Sequence, residues 1–200
     1  MSKRIIVASG NEGKIREINE IMSAKDVEIV SMKAAGIVLD IVEDGTSFKE
    51  NALIKAKAVW DALNEKEIVL ADDSGLEVDY LNKEPGIYSA RYMGEDTPYS
   101  IKNAKIIERL DGVPKEERTG RFVCAVAAVL PDGEEIIVQE TMEGYIGYEE
   151  RGTNGFGYDP IFRPEGYECS SGELPMEEKN EISHRGKAFR KMWSVIKDRI

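Results

Sequence analysis

The chain has 200 residues, of which 38 are Asp or Glu and 27 are Lys or Arg, so its formal net charge is −11. Hydrophobic residues make up 42% and charged residues 32%, which is typical of a globular protein and excludes a disordered one. The acidic balance argues against a general nucleic-acid binder, because such proteins usually present a basic face.

The length is sufficient for one well-buried core, and we predict a single domain over residues 1–200 with two lobes. With two cysteines and one histidine, a zinc site built from Cys and His is nearly excluded, and Cys124 in the run FVCAVAAVL is expected to be a buried free thiol. We find no signal peptide and no apolar run near the ~20 residues that span a bilayer. We therefore expect a cytoplasmic protein that does not contact membranes.

Strand and helix patterns alternate in the first half of the chain. Apolar runs predict strands at residues 4–8 and 27–31, with an amphipathic helix between them. A second helical spacing extends from 46 to about 64, with Thr46 or Ser47 as its N-cap. The stretch EIVLADDSGLEVDYL predicts a strand, a polar turn and a second strand.

The remaining elements are a helix at residues 97–110, capped by Thr97, and a more β-rich second half. Pro-Asp-Gly at 131–133 indicates a hairpin between two long strands. The glycines of 144–157 indicate loop and turn, and a final amphipathic helix begins at Ser183. Together these elements predict an α/β fold.

The stretch SGNEGK, after the first strand and before a helix, has the outline of a phosphate-binding turn. It departs from the P-loop pattern, because Gly10 and Gly13 are too close together and Ile15, which has no hydroxyl, follows Lys14. Backbone N–H groups at a helix N-terminus bind phosphate without that hydroxyl. The metal would then have to be held elsewhere.

Acidic residues provide that second location. Asp72, Asp73 and Ser74 follow an apolar strand, where side chains of an α/β protein often meet a ligand. Glu43 precedes the long helix and could share a cation with them, whereas its neighbour Asp44 is interpreted as a solvated turn acid. Carboxylates and substrate phosphates are the ligands that Mg²⁺ prefers.

Cationic and aromatic residues are distributed along the chain. Most lysines are interpreted as solvated helix residues, and nothing in the sequence alone distinguishes Lys55 or Lys179 from them. In TNGFGYDPIF, an aromatic residue could stack on a base, although such loops often only seal a core edge. The pair His184 and Arg185 could cap a helix or donate hydrogen bonds to a carbonyl or phosphate oxygen.

Six motifs in the same order resemble the inosine triphosphate pyrophosphatase family nearly end to end: SGNEGK, ENALIKA, ADDSGLEVDYL, PGIYSARY, FGYDPIF and EKNEISHRGKA. The family usually has Thr where this chain has Ser9, which keeps the hydroxyl. The resemblance implies a long, mixed, twisted sheet flanked by helices, two lobes with the active site in the cleft between them, and a homodimer.

The resemblance also implies roles for individual residues. Asp73 would accept the proton of the attacking water with support from Asp72, and Glu43 and Asp73 would bind Mg²⁺. The substrate-binding residues would be Ser9, Gly10, Asn11, Glu12, Gly13, Lys14, Lys55, Ser74, Phe156, Gly157, Tyr158, Asp159, Lys179, His184 and Arg185.

Members of this family cleave purine nucleoside triphosphates between the α- and β-phosphates. The resemblance therefore implies hydrolysis of ITP, XTP and their deoxy forms to a monophosphate and pyrophosphate. Two alternatives are a related pyrophosphatase of the Maf type with another base preference and a nucleotide-binding regulator without turnover. The stretches SHRGKA and FGYDPIF disfavour the first, and the intact DDSG disfavours the second.

Overall fold

The computed structural model describes residues 3–22, 27–64 and 67–199. The strands are β1 (Lys3–Val7), β2 (Val27–Ser31), β3 (Ile68–Val78), β4 (Thr119–Val129), β5 (Glu135–Ile146) and β6 (Phe162–Pro164). The helices are α1 (Glu12–Met22), α2 (Phe48–Ala62), α3 (Tyr99–Arg109), α4 (Met176–Ile182) and α5 (His184–Ile196). No helix within these ranges is long and apolar enough to cross a bilayer.

The six strands are hydrogen-bonded in the order β2-β1-β3-β4-β5-β6. Strand β1 pairs in parallel with β2 and with β3, so that Ile5 is opposite Ile29 on one side and Ile68 on the other. Strand β5 pairs antiparallel with β6. The predicted α/β fold with a mixed sheet is confirmed.

The chain forms two compact units, each assembled from separate segments. Unit 1 comprises residues 1–73, 124–140 and 185–200, and unit 2 comprises residues 74–123 and 141–184. Each unit has its own apolar cluster: α1 and α5 pack on strand residues such as Leu70 in unit 1, and Leu76 and Phe162 belong to the cluster of unit 2. The single domain remains a prediction.

The predicted polar turn at Asp-Asp-Ser-Gly is wrong. All four residues lie inside β3, which continues without interruption from Ile68 to Val78. Adjacent buried acids are unfavourable in a strand unless cations compensate them. Here two lysines from helices of unit 1 form ion pairs with the acids. Short-range sequence patterns do not reveal these pairings, because the lysines are distant in sequence.

Two other local predictions need correction. Thr97 does not cap α3, because its hydroxyl donates a hydrogen bond to the Met93 carbonyl (2.8 Å) and Pro98 occupies the cap position. Gly144 belongs to β5 and not to a loop; a Cβ there would lie 2.2 Å from the Arg163 carbonyl of β6, so a glycine permits the pairing. Strand β6 and helix α4 were not predicted.

Several predicted features are confirmed. Strand β2 has the predicted bounds, and the 131–133 turn joins β4 to β5. Ser47 is the N-cap of α2, since its hydroxyl accepts a hydrogen bond from the Glu50 N–H (3.2 Å), while the Glu50 carboxylate accepts one from the Thr46 N–H (2.6 Å). This reciprocal arrangement fixes where the long helix begins. Cys124 is a buried free thiol.

Candidate active site

The turn between β1 and α1 is organised by its own side chains. The Ser9 hydroxyl accepts a hydrogen bond from the Asn11 N–H (3.2 Å), and Asn11 Oδ1 accepts one from the Lys14 N–H (3.1 Å). Asn11 therefore caps α1, which aims the N-terminus of the helix and its partial positive charge at this turn. The Ser9 O–H and the Asn11 amide also carry hydrogen-bond donors, which suit an anionic ligand.

Asp72 lies in a cluster of buried charges in unit 1. Its Oδ2 is 3.0 Å from Lys14 Nζ of α1 and 3.4 Å from Arg185 Nε of α5. The guanidinium of Arg185 also forms an ion pair with Glu17 of α1. This chain of alternating charges holds Lys14 beside the opening turn, where it can reach a phosphate group.

Asp73 belongs to a second group of charges in unit 1. Lys55 Nζ of α2 is 2.8 Å from Glu43 Oε2 and 3.6 Å from Asp73 Oδ1. The segment that contains Glu43 precedes α2, and Lys55 lies about two turns into that helix, so the local chain path brings them together. Two carboxylates therefore share one ammonium group.

The alternation of side chains along β3 separates these two groups. Successive strand residues point to opposite faces of a sheet. Leu70, two residues before Asp72, packs in the cluster of α1 and α5, and Asp72 correspondingly binds cations from those helices. Asp73 points the other way and meets the lysine of α2.

The two acids have opposite pKa shifts. Burial alone would raise the pKa of Asp72, but Lys14, Arg185 and Lys55 together hold it well below its usual range. Burial raises the pKa of Asp73, and the nearby Lys55 and Lys14 only partly oppose this effect. Asp72 is thus a permanent anion, and Asp73 is the more basic carboxylate.

The lysine between Glu43 and Asp73 remains charged. Burial would lower the pKa of Lys55, but Asp73, Asp72 and Glu43 raise it above the ordinary value. For Arg185 the desolvation is likewise outweighed by Asp72 and Glu17, so its pKa is raised. Three cations and four carboxylates consequently stay close together in unit 1.

The donor set of this cluster fits a divalent cation that shares its coordination with substrate. Within residues 3–22, 27–64 and 67–199, no three His, Cys, Asp or Glu side chains converge into a complete metal cage. Glu43 and Asp73 nevertheless provide two carboxylates on either side of one ammonium. Magnesium sites commonly use one or two carboxylates and complete the shell with water and phosphate oxygens.

A second polar cluster, in unit 2, is built around the segment 156–159. Asp159 Oδ2 accepts a hydrogen bond from the Phe156 N–H (2.9 Å) and lies 2.7 Å from Lys179 Nζ of α4. The same ammonium lies 5.3 Å from the centre of the Phe156 ring. At Gly155, where φ is +74°, a Cβ would lie 2.2 Å from Asp159 Oδ2, so only glycine permits this tight turn.

The two aromatic residues of this segment are not equivalent. Tyr158 is buried in the apolar cluster of unit 2, and its hydroxyl donates a hydrogen bond to the Ser89 carbonyl (2.7 Å). Phe156 is only half-buried, so it is the better candidate for stacking on a base. The His184 ring is buried and stacks on Phe122, with 4.9 Å between ring centres.

The structure therefore distributes the predicted residues over two clusters. In unit 1, side-chain contacts connect Lys14 with Asp72 and Arg185, and Lys55 with Glu43 and Asp73. Phe156, Asp159 and Lys179 contact one another in unit 2. Tyr158, Ser74 and His184 also belong to unit 2, whereas Arg185, the next residue, contacts Glu17 and Asp72 in unit 1.

Glu17 was not identified from the sequence. It is buried in α1 together with the apolar residues Ile18 and Met22 and is itself 1% exposed. A carboxylate on the apolar side of an amphipathic helix is the signal that could have revealed it, since such a group requires a buried cation.

Comparison with known proteins places this chain in a family. The model of the Ham1 family matches residues 5–195. The chain belongs to the Ham1 family. The Ham1 protein of Staphylococcus aureus has a solved structure that superimposes on this chain with a TM-score of 0.86 at 37% identity. The match covers 99% of this chain and 100% of that one.

Relatives of this chain carry a named activity. A protein of Bacillus subtilis (strain 168) called dITP/XTP pyrophosphatase is 43% identical over 194 residues, which are 97% of both chains. A protein of the same name from Caldanaerobacter subterraneus is 45% identical over 197 residues, 98% of both chains. A Mycobacterium abscessus structure titled nucleoside-triphosphatase / dITP/XTP pyrophosphatase has a TM-score of 0.74 at 40% identity, covering 94% of this chain and 98% of that one.

Proposed function

We propose that this protein hydrolyses non-standard purine nucleoside triphosphates, namely ITP, dITP, XTP and dXTP, between the α- and β-phosphates. The products are a nucleoside monophosphate and pyrophosphate, and the reaction removes these nucleotides from the pool. The main support is the pair Asp72 and Asp73, in which one acid forms an ion pair with Lys14 beside the β1–α1 turn and the other has a raised pKa. The names of the close relatives point to the same reaction.

The triphosphate is assigned to the turn from Ser9 to Lys14, which includes Gly10, Asn11, Glu12 and Gly13, and to Lys55. Helix N-termini bind phosphate through their N–H groups. Asp72 stays ionised and forms an ion pair with Lys14 Nζ, which limits the positions available to that ammonium. Lys14 and Lys55 then stabilise the negative charge that develops on the departing pyrophosphate.

Asp73 is assigned as the general base. Burial raises its pKa, which makes it a better proton acceptor than an exposed carboxylate. It takes a proton from the water that attacks the α-phosphorus in line with the leaving pyrophosphate. Glu43 and Asp73 would hold a divalent ion, proposed to be Mg²⁺, which would neutralise phosphate charge.

The purine base is assigned to the cluster of unit 2, with Ser74 as a further substrate contact. Phe156 stacks on the base, and the other binding residues of unit 2 are Gly157, Tyr158, Asp159, Lys179 and His184. Arg185 of unit 1, the next residue in the chain, is assigned to base recognition as well. Hypoxanthine and xanthine present an oxygen acceptor at position 6, whereas adenine presents an amino donor. Protein donors left unpaired by adenine would disfavour ATP.

One assay tests this proposal directly. Purified protein is incubated with ITP, XTP, GTP, ATP or UTP and magnesium, and the products are identified by chromatography. We expect ITP and XTP to give IMP or XMP together with pyrophosphate, and the other three substrates to turn over much more slowly. Orthophosphate as the product would contradict the proposed bond cleavage, and equal turnover of GTP and ITP would contradict the base preference.

We also propose that the protein acts in the cytoplasm and that it is a homodimer, as the family resemblance implies. Unit 2 exposes several apolar side chains close together in sequence, including Tyr80, Tyr88 and Met93, which are about half exposed. Size-exclusion chromatography with light scattering measures the mass in solution. A mass equal to one chain at micromolar concentration would contradict the dimer.

A further inference from the structure

Helix α3 contacts the segment 156–159 through two of its side chains. All residues involved belong to unit 2, and none of them is among the residues assigned above to phosphate, metal or proton transfer. The contacts come from Tyr99 and Asn103, which lie four residues apart and therefore on one face of the helix. The contacts of this face with the segment 156–159 influence the orientation of the proposed base-binding residues.

Asn103 makes the polar contact. Its Nδ2 donates hydrogen bonds to Glu150 Oε1 (2.7 Å) and to the Gly157 carbonyl (3.3 Å), and the residue is 1% exposed. Both partners are acceptors, so only the amide nitrogen can face them and the orientation of the side chain is determined. Gly157 has φ +68° and lies in a turn between Phe156 and Tyr158, and the bond from Asn103 holds the carbonyl of this turn.

Tyr99 makes the apolar contact. Its ring packs edge-on against Tyr158, with 5.2 Å between ring centres, and a Cβ on Gly157 would lie 3.6 Å from it. The Lys102 ammonium lies 4.8 Å from the centre of the same ring and donates a hydrogen bond to the Ala90 carbonyl (2.6 Å). The segment therefore packs against Tyr99, which is itself in contact with Lys102.

We propose that Asn103 is a positioning residue for purine recognition. This inference rests on the proposed function, because it takes the segment 156–159 as the base-binding segment. By fixing the Gly157 carbonyl, Asn103 determines the direction in which the preceding Phe156 ring and the following residues point. Asn103 itself does not contact the nucleotide.

Two substitutions at this position separate the bond to Gly157 from general stability. Asn103→Ala removes the donor without adding charge. Asn103→Asp has nearly the same shape but sets an acceptor against two acceptors. Adding Glu150→Gln to Asn103→Asp restores the bond between positions 103 and 150, since the Gln amide can donate to the new carboxylate, while the Gly157 carbonyl still lacks its donor.

The readouts are melting temperature, KM and kcat for ITP, the ratio of kcat/KM for ITP over GTP, and the Kd of IMP by calorimetry. In both single variants we expect KM and the IMP Kd to rise roughly tenfold, with kcat changed by less than about threefold and a lower ITP/GTP ratio. In the double variant we expect the melting temperature to recover while the IMP Kd and the ratio stay altered. Glu150→Gln alone and Glu108→Gln, on the exposed side of α3, are the matched controls and should behave like the wild type.

Two results would overturn the inference while leaving the proposed function intact. One is a wild-type KM, IMP Kd and ITP/GTP ratio in both Asn103→Ala and Asn103→Asp. The other is full recovery of nucleotide binding together with the melting temperature in the double variant, which would show that Asn103 only stabilises the fold. A wild-type protein that does not hydrolyse ITP to IMP and pyrophosphate would instead overturn the proposed function, and this inference with it.

Discussion

Asp72 and Asp73 are neighbours in the chain but form ion pairs with different lysines. Lys14 Nζ of α1 lies 3.0 Å from Asp72 Oδ2, and Lys55 Nζ of α2 lies 3.6 Å from Asp73 Oδ1. The pleat of β3 directs the two carboxylates to opposite faces, so two helices can each supply a cation. The result is one acid with a lowered pKa and one with a raised pKa, which fits the proposed division between a supporting and a catalytic carboxylate.

The first prediction concerns the proposed general base. Asp73→Asn keeps the shape of the side chain but removes its basicity and its charge, so turnover of ITP should fall by roughly 10²-fold or more while nucleotide binding persists. Pyrophosphate release measures turnover, and calorimetry measures binding. Asp96→Asn makes the same chemical change at an exposed position and serves as the control. Undiminished turnover would remove Asp73 from the mechanism.

The second prediction concerns the metal. Chelation with EDTA should abolish turnover, and added Mg²⁺ should restore it. Glu43→Gln replaces a charged ligand with a neutral one, and the Mg²⁺ concentration for half-maximal rate should rise about tenfold or more. Asp44→Asn, at the adjacent exposed acid, should leave the Mg²⁺ dependence unchanged. A shift of equal size in both variants would argue for a general charge effect and against Glu43 as a ligand.

The third prediction concerns Arg185. Arg185→Ala should weaken the preference for 6-oxo purines over ATP, because it removes donors next to His184. It should also lower kcat, since Asp72 loses a cation 3.4 Å from its Oδ2. The ratio of kcat/KM for ITP over ATP separates the two effects. If the rates for both nucleotides fall by the same factor, Arg185 acts only through Asp72.

The fourth prediction concerns the buried aromatic residue of the segment 156–159. Tyr158→Phe leaves the Ser89 carbonyl without its donor in a buried environment, so the free energy of unfolding should fall by about 1–3 kcal/mol. Urea titration followed by circular dichroism measures this change. Tyr148→Phe, where the side chain is well exposed, should change stability little. Equal stability of the Tyr158 variant and the wild type would contradict a stabilising role for the hydrogen bond to the Ser89 carbonyl.

The fifth prediction concerns acid stability. Hydrogen bonds from Arg121, each 3.0 Å long, hold the pKa of Asp79 below its usual range, with Thr119 adding to the effect. A carboxyl whose pKa is lower in the folded state stabilises the protein above its unfolded pKa of about 3.9, and this contribution declines as the pH falls below that value. Because the side chain is partly exposed, the contribution is about 1 kcal/mol or less.

Asp79→Asn tests this pH dependence. The variant should melt at a lower temperature than the wild type at pH 7, and the difference should shrink as the pH approaches 3. Calorimetric scans of both proteins across this range provide the comparison. A difference that stays constant with pH would mean that Asp79 titrates alike in the folded and unfolded states.

Sequence patterns predicted the regular elements where local signals were strong. The capping pair of α2 and the Pro-Asp-Gly turn are examples, because both depend on residues within a few positions of each other. The polar turn predicted at Asp-Asp-Ser-Gly was wrong because the cations that allow two acids inside a strand come from helices distant in sequence. Strand β6 was missed because its three residues have no periodicity to detect.

The sequence by itself determined the family, the α/β class and the chemical groups of the site, because ordered motifs and side-chain types are local properties. Only the tertiary structure decided which groups meet. It paired Asp72 with Lys14 and Arg185, brought Glu17 into that cluster, and set Asn103 against Gly157. These contacts join residues 54 to 168 positions apart, and burial, which shifts their pKa values, exists only once the chain has folded.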